Sequence, residues 1–171
     1  MNLFFYETDI GRIGIVENGT AITNLYFKDE AAPQDAELKE TDLLKQAGAQ
    51  LQDYFAGKCK SFDLPLSPKG TEFQQKVWKA LQEIPYGETR SYGEIARVIG
   101  QEKAYRAVGM ANNRNPIALF IPCHRVVGSN GKLVGYAGGL DVKKQLLDLE
   151  ARQGDKPDKG TGSLSGKERN K

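Results

Sequence analysis

The sequence is poor in the residues that bind metals and form disulfides. Its 171 residues include one histidine and two cysteines, whereas a structural zinc site needs four ligands. No apolar run approaches the roughly 20 residues of a membrane span, and no secretory signal opens the chain. Two cysteines without such a signal indicate a reducing, cytoplasmic setting. We therefore expect no metal, no cofactor and no membrane partner.

The formal net charge of +2 hides an uneven distribution. Residues 1–66 carry 6 basic and 11 acidic side chains, whereas residues 67–150 carry 12 and 8. A polyanion would therefore bind the second half of the chain. Ordinary scatter of surface charge is the alternative.

The first half has the pattern of a small α/β domain with an antiparallel sheet, predicted over residues 1–66. Asn18-Gly19 is a hairpin signal between two of the strands, because both residues tolerate the positive φ of a type I′ turn. A helix is predicted over 41–56 from the 3.6-residue spacing of its apolar side chains, and Lys28–Glu40 is a polar loop. The three strands are Leu3–Thr8, Ile13–Glu17 and Ala21–Phe27.

The second half, residues 67–151, is predicted to be a helical domain. Capping boxes mark two helix starts, the first at Thr71 and the second at Ser91. Another helix over Lys103–Asn113 pairs with the second of these as a helix-turn-helix, although plain core packing gives the same pattern. A last helix is predicted over 140–151.

Two further segments complete the prediction. Val126-Val127 and Leu133-Val134, separated by Ser129-Asn130-Gly131, are predicted to form a small hairpin. Residues 152–171 are rich in glycine and charge, with Leu164 as the single large apolar side chain. We expect this tail to be disordered.

The helix over 103–113 has the composition of a nucleic-acid contact surface. Small residues allow a phosphate backbone or a neighbouring helix to approach closely, and arginines attract phosphate. The candidate DNA-binding residues are Ala104, Tyr105, Arg106, Ala107, Gly109 and Arg114.

The single histidine directly follows one of the two cysteines. A thiol beside an imidazole can act as a nucleophile, since a nearby base or cation favours the reactive thiolate. Arg125 adds positive charge to the pair Cys123-His124. The alternative is a buried cysteine beside a surface histidine, and the pair alone does not decide between them.

Several motifs together resemble one family, the O6-alkylguanine-DNA alkyltransferases, also called methylated-DNA–protein-cysteine methyltransferases. The resemblance covers about residues 1–150 and is carried by Asn115-Pro116, Pro122-Cys123-His124-Arg125-Val126 and Gly135-Tyr136-Ala137-Gly138-Gly139. It implies an α/β domain followed by a helical domain whose helix-turn-helix enters the minor groove of alkylated double-stranded DNA and flips the damaged base. A monomer is expected.

The resemblance also assigns roles to residues. Cys123 corresponds to the alkyl acceptor, His124 to the base that activates it through a water, and Glu150 to the carboxylate that orients the histidine. Tyr92 corresponds to the proton donor to guanine. The remaining correspondences are Asn115, which holds the segment before the cysteine; Arg106, which replaces the flipped base; the carbonyls of Cys123 and Val126; the N–H of Ala137; and Tyr136 as a pocket wall.

Four positions depart from some family members and bear on pocket shape. They are Asn112 in place of methionine, Ala118 in place of proline, Tyr105 in place of a small residue and Ala137 in place of serine. The implied function is direct DNA repair by irreversible, single-turnover transfer of an alkyl group to Cys123. The alternatives are a lesion sensor that binds DNA without chemistry and a thiol hydrolase that uses Cys, His and Glu.

Overall fold

The computed structural model describes residues 1–153, which form an N-terminal α/β unit followed by a helical unit. The elements of the first unit are β1 (Asn2–Thr8), β2 (Gly11–Glu17), β3 (Ile22–Tyr26), β4 (Glu37–Leu38) and α1 (Asp42–Phe55). Those of the second are α2 (Glu72–Gln82), β5 (Arg90–Ser91), α3 (Tyr92–Val98), α4 (Tyr105–Asn113), a 3₁₀ turn (Cys123–Arg125), β6 (Val126–Val127) and α5 (Leu140–Gln153).

The N-terminal sheet has the strand order β3-β2-β1-β4. The pairs β1–β2 and β2–β3 are antiparallel, as predicted. The fourth strand was not predicted: it lies within the supposed polar loop and pairs in parallel with β1 through Asn2–Glu37 and Leu3–Leu38. The sheet is therefore mixed. Two exposed residues carry no alternation of apolar and polar side chains, so sequence pattern cannot reveal such a strand.

The turn between β2 and β3 differs in detail from the type I′ prediction. Gly19 has a φ of +103°, but Leu119 is the one described residue other than glycine with a positive φ, so Asn18 does not adopt it. The Asn18 side chain instead accepts hydrogen bonds from the N–H groups of Thr20 and Ala21, both at 3.0 Å. Asparagine thus closes this turn through its side chain.

The helix starts follow the sequence closely. Thr71 and Ser91 are N-caps with complete capping boxes, closed by Gln74 and Glu94 respectively. Thr41 caps α1. The predicted helix over 103–113 begins instead at Tyr105, with no side-chain cap. Helices α3 and α4 pack against each other as a helix-turn-helix.

The predicted hairpin after Val126 is wrong. Val126 and Val127 form β6, which pairs in parallel with Arg90 and Ser91 of β5, and Leu133-Val134 is not a strand. A turn does form, since Gly128 N donates to Lys132 O at 2.8 Å. The β5–β6 pair places the segment after Cys123 beside the start of α3.

Residues 152–171, the predicted disordered tail, lie mostly outside the described residues. Helix α5 continues through Arg152 and Gln153, so those two residues are helical. Residues 154–171 are not described.

The two units share one apolar core. Backbone hydrogen bonds join them directly: Leu25 N in β3 donates to Pro116 O at 2.9 Å. Phe62 of the first unit packs edge-on against Phe120 of the second, with ring centroids 4.8 Å apart. The N-terminal sheet and α1 therefore lie against the segment that leads to Cys123.

Candidate active site around Cys123

The segment before Cys123 is buried and turns sharply. All residues from Ile117 to Ile121 are buried, as their apolar character predicted. Leu119 has a φ of +74°, a conformation that disfavours a side chain by about 1–2 kcal/mol. Asn115 fixes the turn, because its Nδ2 donates to Ile121 O at 2.8 Å and its Oδ1 accepts from Ile117 N at 2.9 Å.

Cys123 begins the 3₁₀ turn and is only 4% exposed. Burial raises the pKa of its thiol to about 11, although a hydrogen bond from Asn115 and the charge of Lys143 act in the opposite direction. In the absence of a ligand the group is therefore a neutral thiol at neutral pH. Nucleophilic attack requires that a base remove its proton.

His124 is fully buried and bound to a carboxylate. Its Nε2 lies 2.6 Å from Glu150 Oε2. Burial lowers the pKa of His124, and Glu150 only partly offsets this. Burial also acts to raise the pKa of Glu150, but the neighbouring His124 and Arg125 outweigh it and hold that pKa well below its ordinary value.

These charge states fix the tautomer of His124. A neutral imidazole beside an ionised carboxylate carries its proton on Nε2, which donates to Glu150. The other nitrogen, Nδ1, then holds a lone pair. It is buried and has no hydrogen-bond partner within residues 1–153. The arrangement leaves Nδ1 available as a general base.

Arg125 binds Glu150 rather than reinforcing the thiolate, contrary to the prediction from sequence. Its Nε donates to Glu150 Oε1 at 2.8 Å and its Nη2 to Oε2 at 3.1 Å, while Nη1 donates to Ile84 O at 2.7 Å. A paired guanidinium in a buried site orients the carboxylate. Its charge is balanced there.

The carboxylate of Glu150 also accepts bonds from two distant parts of the chain. Tyr54 of α1 donates its hydroxyl to Oε2 at 2.7 Å, and Gly87 N donates to Oε1 at 3.2 Å. Both carboxylate oxygens are therefore fully engaged. Glu150 is held in one orientation, and His124 with it.

Tyr92 and Lys143 share one acceptor in the loop that precedes α5. The Tyr92 hydroxyl donates to Val134 O at 3.3 Å, and Lys143 Nζ donates to the same oxygen at 2.8 Å. Lys143 is 0% exposed, and its pKa is lowered by burial, while the nearby Cys123 opposes that shift. An ammonium group is thus buried close to the thiol.

Tyr136 lies beside the His124 imidazole. The two ring centroids are 6.5 Å apart with the rings nearly perpendicular. Its hydroxyl is buried with no hydrogen-bond partner in the described part of the chain. The next residue, Ala137, is exposed, so its N–H lies on the outer part of the same loop.

The other predicted pocket residues lie on the opposite side of Cys123. Asn112 of α4 is 2% exposed; its Nδ2 donates to Cys123 O at 3.4 Å. Val126 N donates to the same carbonyl, which leaves that oxygen already engaged. Ala118 and Val126 are both buried.

The predicted DNA-binding residues form the outer face of α4, with one exception. Tyr105, Arg106, Ala107 and Arg114 are exposed, and Ala104 is half-buried. Gly109 faces inwards: a Cβ at this position would lie 3.8 Å from the Tyr92 ring. The sequence could not distinguish a small residue that meets DNA from one that admits a neighbouring ring.

Sequence reasoning missed Tyr54, Gly87 and Lys143. Tyr54 stands 96 positions from Glu150 and belongs to the apolar stripe of α1, so its pattern is that of a core tyrosine. Lys143 did leave a signal, because a lysine three residues before Leu146 interrupts the apolar face of α5. Gly87 uses its backbone, which leaves no signature in the sequence.

Two searches of residues 1–153 bear on partners. No three side chains among His, Cys, Asp and Glu in this range are grouped so that they could hold a metal ion. None of the helices in the same range has the length and apolar character needed to cross a membrane.

Comparison with known proteins identifies the family. The profile described as "6-O-methylguanine DNA methyltransferase, ribonuclease-like domain" matches residues 3–68, and the corresponding "DNA binding domain" matches residues 72–152. The chain is 53% identical over 148 residues to the methylated-DNA–protein-cysteine methyltransferase of Methanosarcina acetivorans, with 85% of this chain and 95% of the relative covered.

Two further relatives agree. The constitutive methylated-DNA–protein-cysteine methyltransferase of Bacillus subtilis is 52% identical over 151 residues, which cover 84% of this chain and 92% of the relative. A crystal structure of Mycobacterium tuberculosis OGT in complex with DNA superposes with a TM-score of 0.85 at 46% identity, covering 90% of this chain and 94% of that one. The chain belongs to the 6-O-methylguanine-DNA methyltransferase family.

Proposed function

We propose that this protein repairs alkylated double-stranded DNA by transferring the alkyl group of O6-alkylguanine to Cys123. The observation that carries the proposal is the buried set Cys123-His124-Glu150, in which the carboxylate fixes the tautomer that leaves His124 Nδ1 unprotonated. This set supplies a nucleophile, a base and an orienting group. Membership of the family supports the same reaction.

The transfer step balances as a single displacement. His124 accepts the thiol proton at Nδ1, through a water molecule as the resemblance implies. The Cys123 sulfur forms a bond to the alkyl carbon while the bond from that carbon to O6 breaks. The departing guanine takes a proton from Tyr92, and the proton held on His124 restores the phenol. The products are neutral guanine and a thioether on Cys123.

The product explains why the protein acts once. A thioether is not cleaved by water, and the described site contains no second nucleophile placed to remove the alkyl group. Each molecule therefore consumes itself in one transfer. A thiol hydrolase would instead regenerate Cys123 with every cycle.

DNA binding is assigned to the exposed face of α4. Tyr105, Arg106, Ala107 and Arg114 lie on this face, with Ala104 at its start. A stacked base is beyond the reach of a thiol, so the lesion must be extruded from the duplex. We assign to Arg106 the place of the flipped base. Gly109 contributes indirectly, by admitting the Tyr92 ring.

The pocket for the flipped base lies between α4 and the loop before α5. Tyr136 forms one wall, and Asn112 and Ala118 line the side next to Cys123. The carbonyls of Cys123 and Val126 accept from the exocyclic amine, and Ala137 N–H donates to O6. Asn115 holds the segment before the nucleophile. Tyr92 must exchange its bond to Val134 O for one to guanine.

Three organisational features belong to the same proposal. The chain folds as two domains, 1–66 and 67–151, and works as a monomer. It acts in the cytoplasm, where a reduced thiol and access to DNA are both available. The reaction requires neither a metal nor a cofactor.

Adduct mapping tests the proposed function. The protein is incubated with duplex DNA containing O6-methylguanine, then digested and analysed by mass spectrometry. One methyl group on the peptide containing Cys123, at no more than one per molecule, is expected, with guanine restored in the DNA. Cys123→Ala should abolish transfer and keep lesion binding. An unmodified Cys123 with bound lesion would indicate a sensor, and repeated turnover on esters a hydrolase.

A further inference from the structure

The N-terminal sheet reaches the active site through one aromatic ring. Phe27 directly follows β3 and is 5% exposed, although residues 28–30 after it are all exposed. Its ring packs against the ring of Tyr136, with centroids 5.5 Å apart and an interplanar angle of 58°. A side chain from the first unit therefore supports a pocket wall in the second.

The same ring also touches the backbone of the loop. A Cβ placed on Gly138 would lie 3.1 Å from both Cδ1 and Cε1 of Phe27. This spacing is tighter than ordinary van der Waals contact, so glycine is required for the ring to approach. Phe27 thus contacts the loop at two positions, residues 136 and 138.

Phe27 is presented by a closed turn. Its N–H donates to Glu30 Oε1 at 3.0 Å, and Glu30 N donates to Phe27 O at 2.9 Å. Two reciprocal bonds between the same residues hold the backbone that carries the ring. The ring is therefore a fixed surface, since its backbone cannot move without breaking both bonds.

The loop on the other side of the contact leads directly to the catalytic group. Gly139 N donates to Tyr136 O at 2.9 Å, and Lys143 N donates to Gly139 O at 3.0 Å, which ties the loop to α5. Tyr136 then meets His124 ring to ring. The contacts run from Phe27 to Tyr136 to His124.

We propose that Phe27 is a positioning residue for alkyl transfer: its ring fixes Tyr136 and residues 136–139 against His124 and so shapes the site from outside the helical unit. Phe27 itself touches neither DNA nor the reacting atoms. The inference rests on the proposed function for its kinetic test. It predicts that the first unit contributes to the transfer rate as well as to stability.

The kinetic test compares Phe27→Ala with a matched control. Ile15→Ala removes a side chain of 0% exposure from β2 of the same sheet, and both truncations should cost about 2–5 kcal/mol of unfolding free energy. At saturating O6-methylguanine duplex, Phe27→Ala should slow transfer about 10- to 100-fold, since misplacement of about 1 Å has that effect. Its Kd for DNA should stay within twofold of the wild type.

The control separates positioning from stability. Ile15→Ala should transfer at the wild-type rate once its folded fraction is taken into account. Equal slowing in the two variants, or no slowing in Phe27→Ala, would overturn the inference while leaving the proposed function intact. Absence of transfer in the wild type would instead refute the proposed function.

A double-mutant cycle tests the contact itself. Gly138→Ala should also slow transfer, because the added methyl group meets the ring. Combined with Phe27→Ala, the same change should cost little, since the ring is gone. Additive losses would show that the two residues act independently and would contradict the proposal.

Hydrogen exchange gives a readout that does not depend on activity. Phe27→Ala should accelerate exchange of the Gly139 and Lys143 amides, which close the loop, by at least tenfold relative to Ile15→Ala. Unchanged protection at both amides would refute a positioning role for Phe27 even if transfer were slowed.

Discussion

The Tyr54 hydroxyl in the N-terminal helix donates a 2.7 Å hydrogen bond to Glu150 Oε2, the same oxygen that lies 2.6 Å from His124 Nε2. A residue from the first unit is thus part of the hydrogen-bond network that orients the base. Together with the Phe27 contact, this bond connects the mixed sheet and its helix to the chemistry at two separate points.

Removal of this hydroxyl should weaken both stability and transfer. We expect Tyr54→Phe to lower the unfolding free energy by about 2 kcal/mol, the usual size for a hydrogen bond to a charged group, and to slow alkyl transfer several-fold. Urea denaturation and single-turnover transfer measure the two effects. Tyr26→Phe is the control, because that hydroxyl lies near Glu30 and Asp35; a loss as large there would dissociate the effect from Glu150.

Glu150→Gln should produce a pH-dependent loss of stability. The amide cannot balance the buried Arg125 guanidinium, so a loss of about 3–5 kcal/mol is expected at pH 7. The folded protein depresses the pKa of Glu150 below its ordinary 4.5. Its stabilising contribution is therefore present above pH 4.5 and is lost as the pH falls through the folded pKa.

Urea denaturation of the wild type and Glu150→Gln from pH 3 to pH 7 checks this. The gap between the two proteins should narrow below pH 4.5. Glu83→Gln, at an exposed position, should show no gap across the range. A gap that is constant with pH would contradict an ionised, stabilising Glu150.

The thiol of the DNA-free protein should react slowly with small electrophiles. Because burial raises its pKa to about 11, the thiolate fraction and the carboxymethylation rate should rise about tenfold per pH unit from pH 7 to pH 10. Peptide mapping after iodoacetamide treatment distinguishes Cys123 from Cys59. A rate that levels off below pH 9 would show that the thiol is already ionised.

Lys143→Met extends the same measurement. The ammonium of Lys143 acts to lower the pKa of Cys123, so its removal should reduce the carboxymethylation rate at every pH below the thiol pKa. Lys144→Met provides the matched control, since Lys144 is exposed and pairs with Asp148. A larger effect from Lys144 would show that bulk charge dominates.

Arg106→Ala should impair repair of duplex DNA more than reaction with the free alkylated base. A residue that replaces a flipped base matters only when a duplex must be kept open. Transfer rates on the two substrates give the comparison, and equal losses would contradict this role. Arg97→Ala, an exposed arginine on α3, should affect both substrates little. Affinity for duplex should fall with added salt in all variants that retain Arg106.

Sequence reasoning worked best where the determining interactions are local. The N-caps Thr71 and Ser91 with their capping boxes, and the apolar stripes of α1 and α2, follow from bonds that span three or four residues. It failed for β4 and β6, which pair with strands far away in the chain. Two-residue strands have no periodicity of their own, so their pairing is decided by the packing around them.

The sequence by itself determined the family and the nucleophile, because Cys123, His124 and the motifs around them lie within a short stretch whose spacing is specific. Only the tertiary structure decided how that nucleophile is controlled. Tyr54, Arg125 and Gly87 converge on Glu150, and Phe27 supports Tyr136. The physical reason is distance along the chain: burial and hydrogen bonding set the protonation of His124 and Cys123, and both depend on groups that only folding brings together.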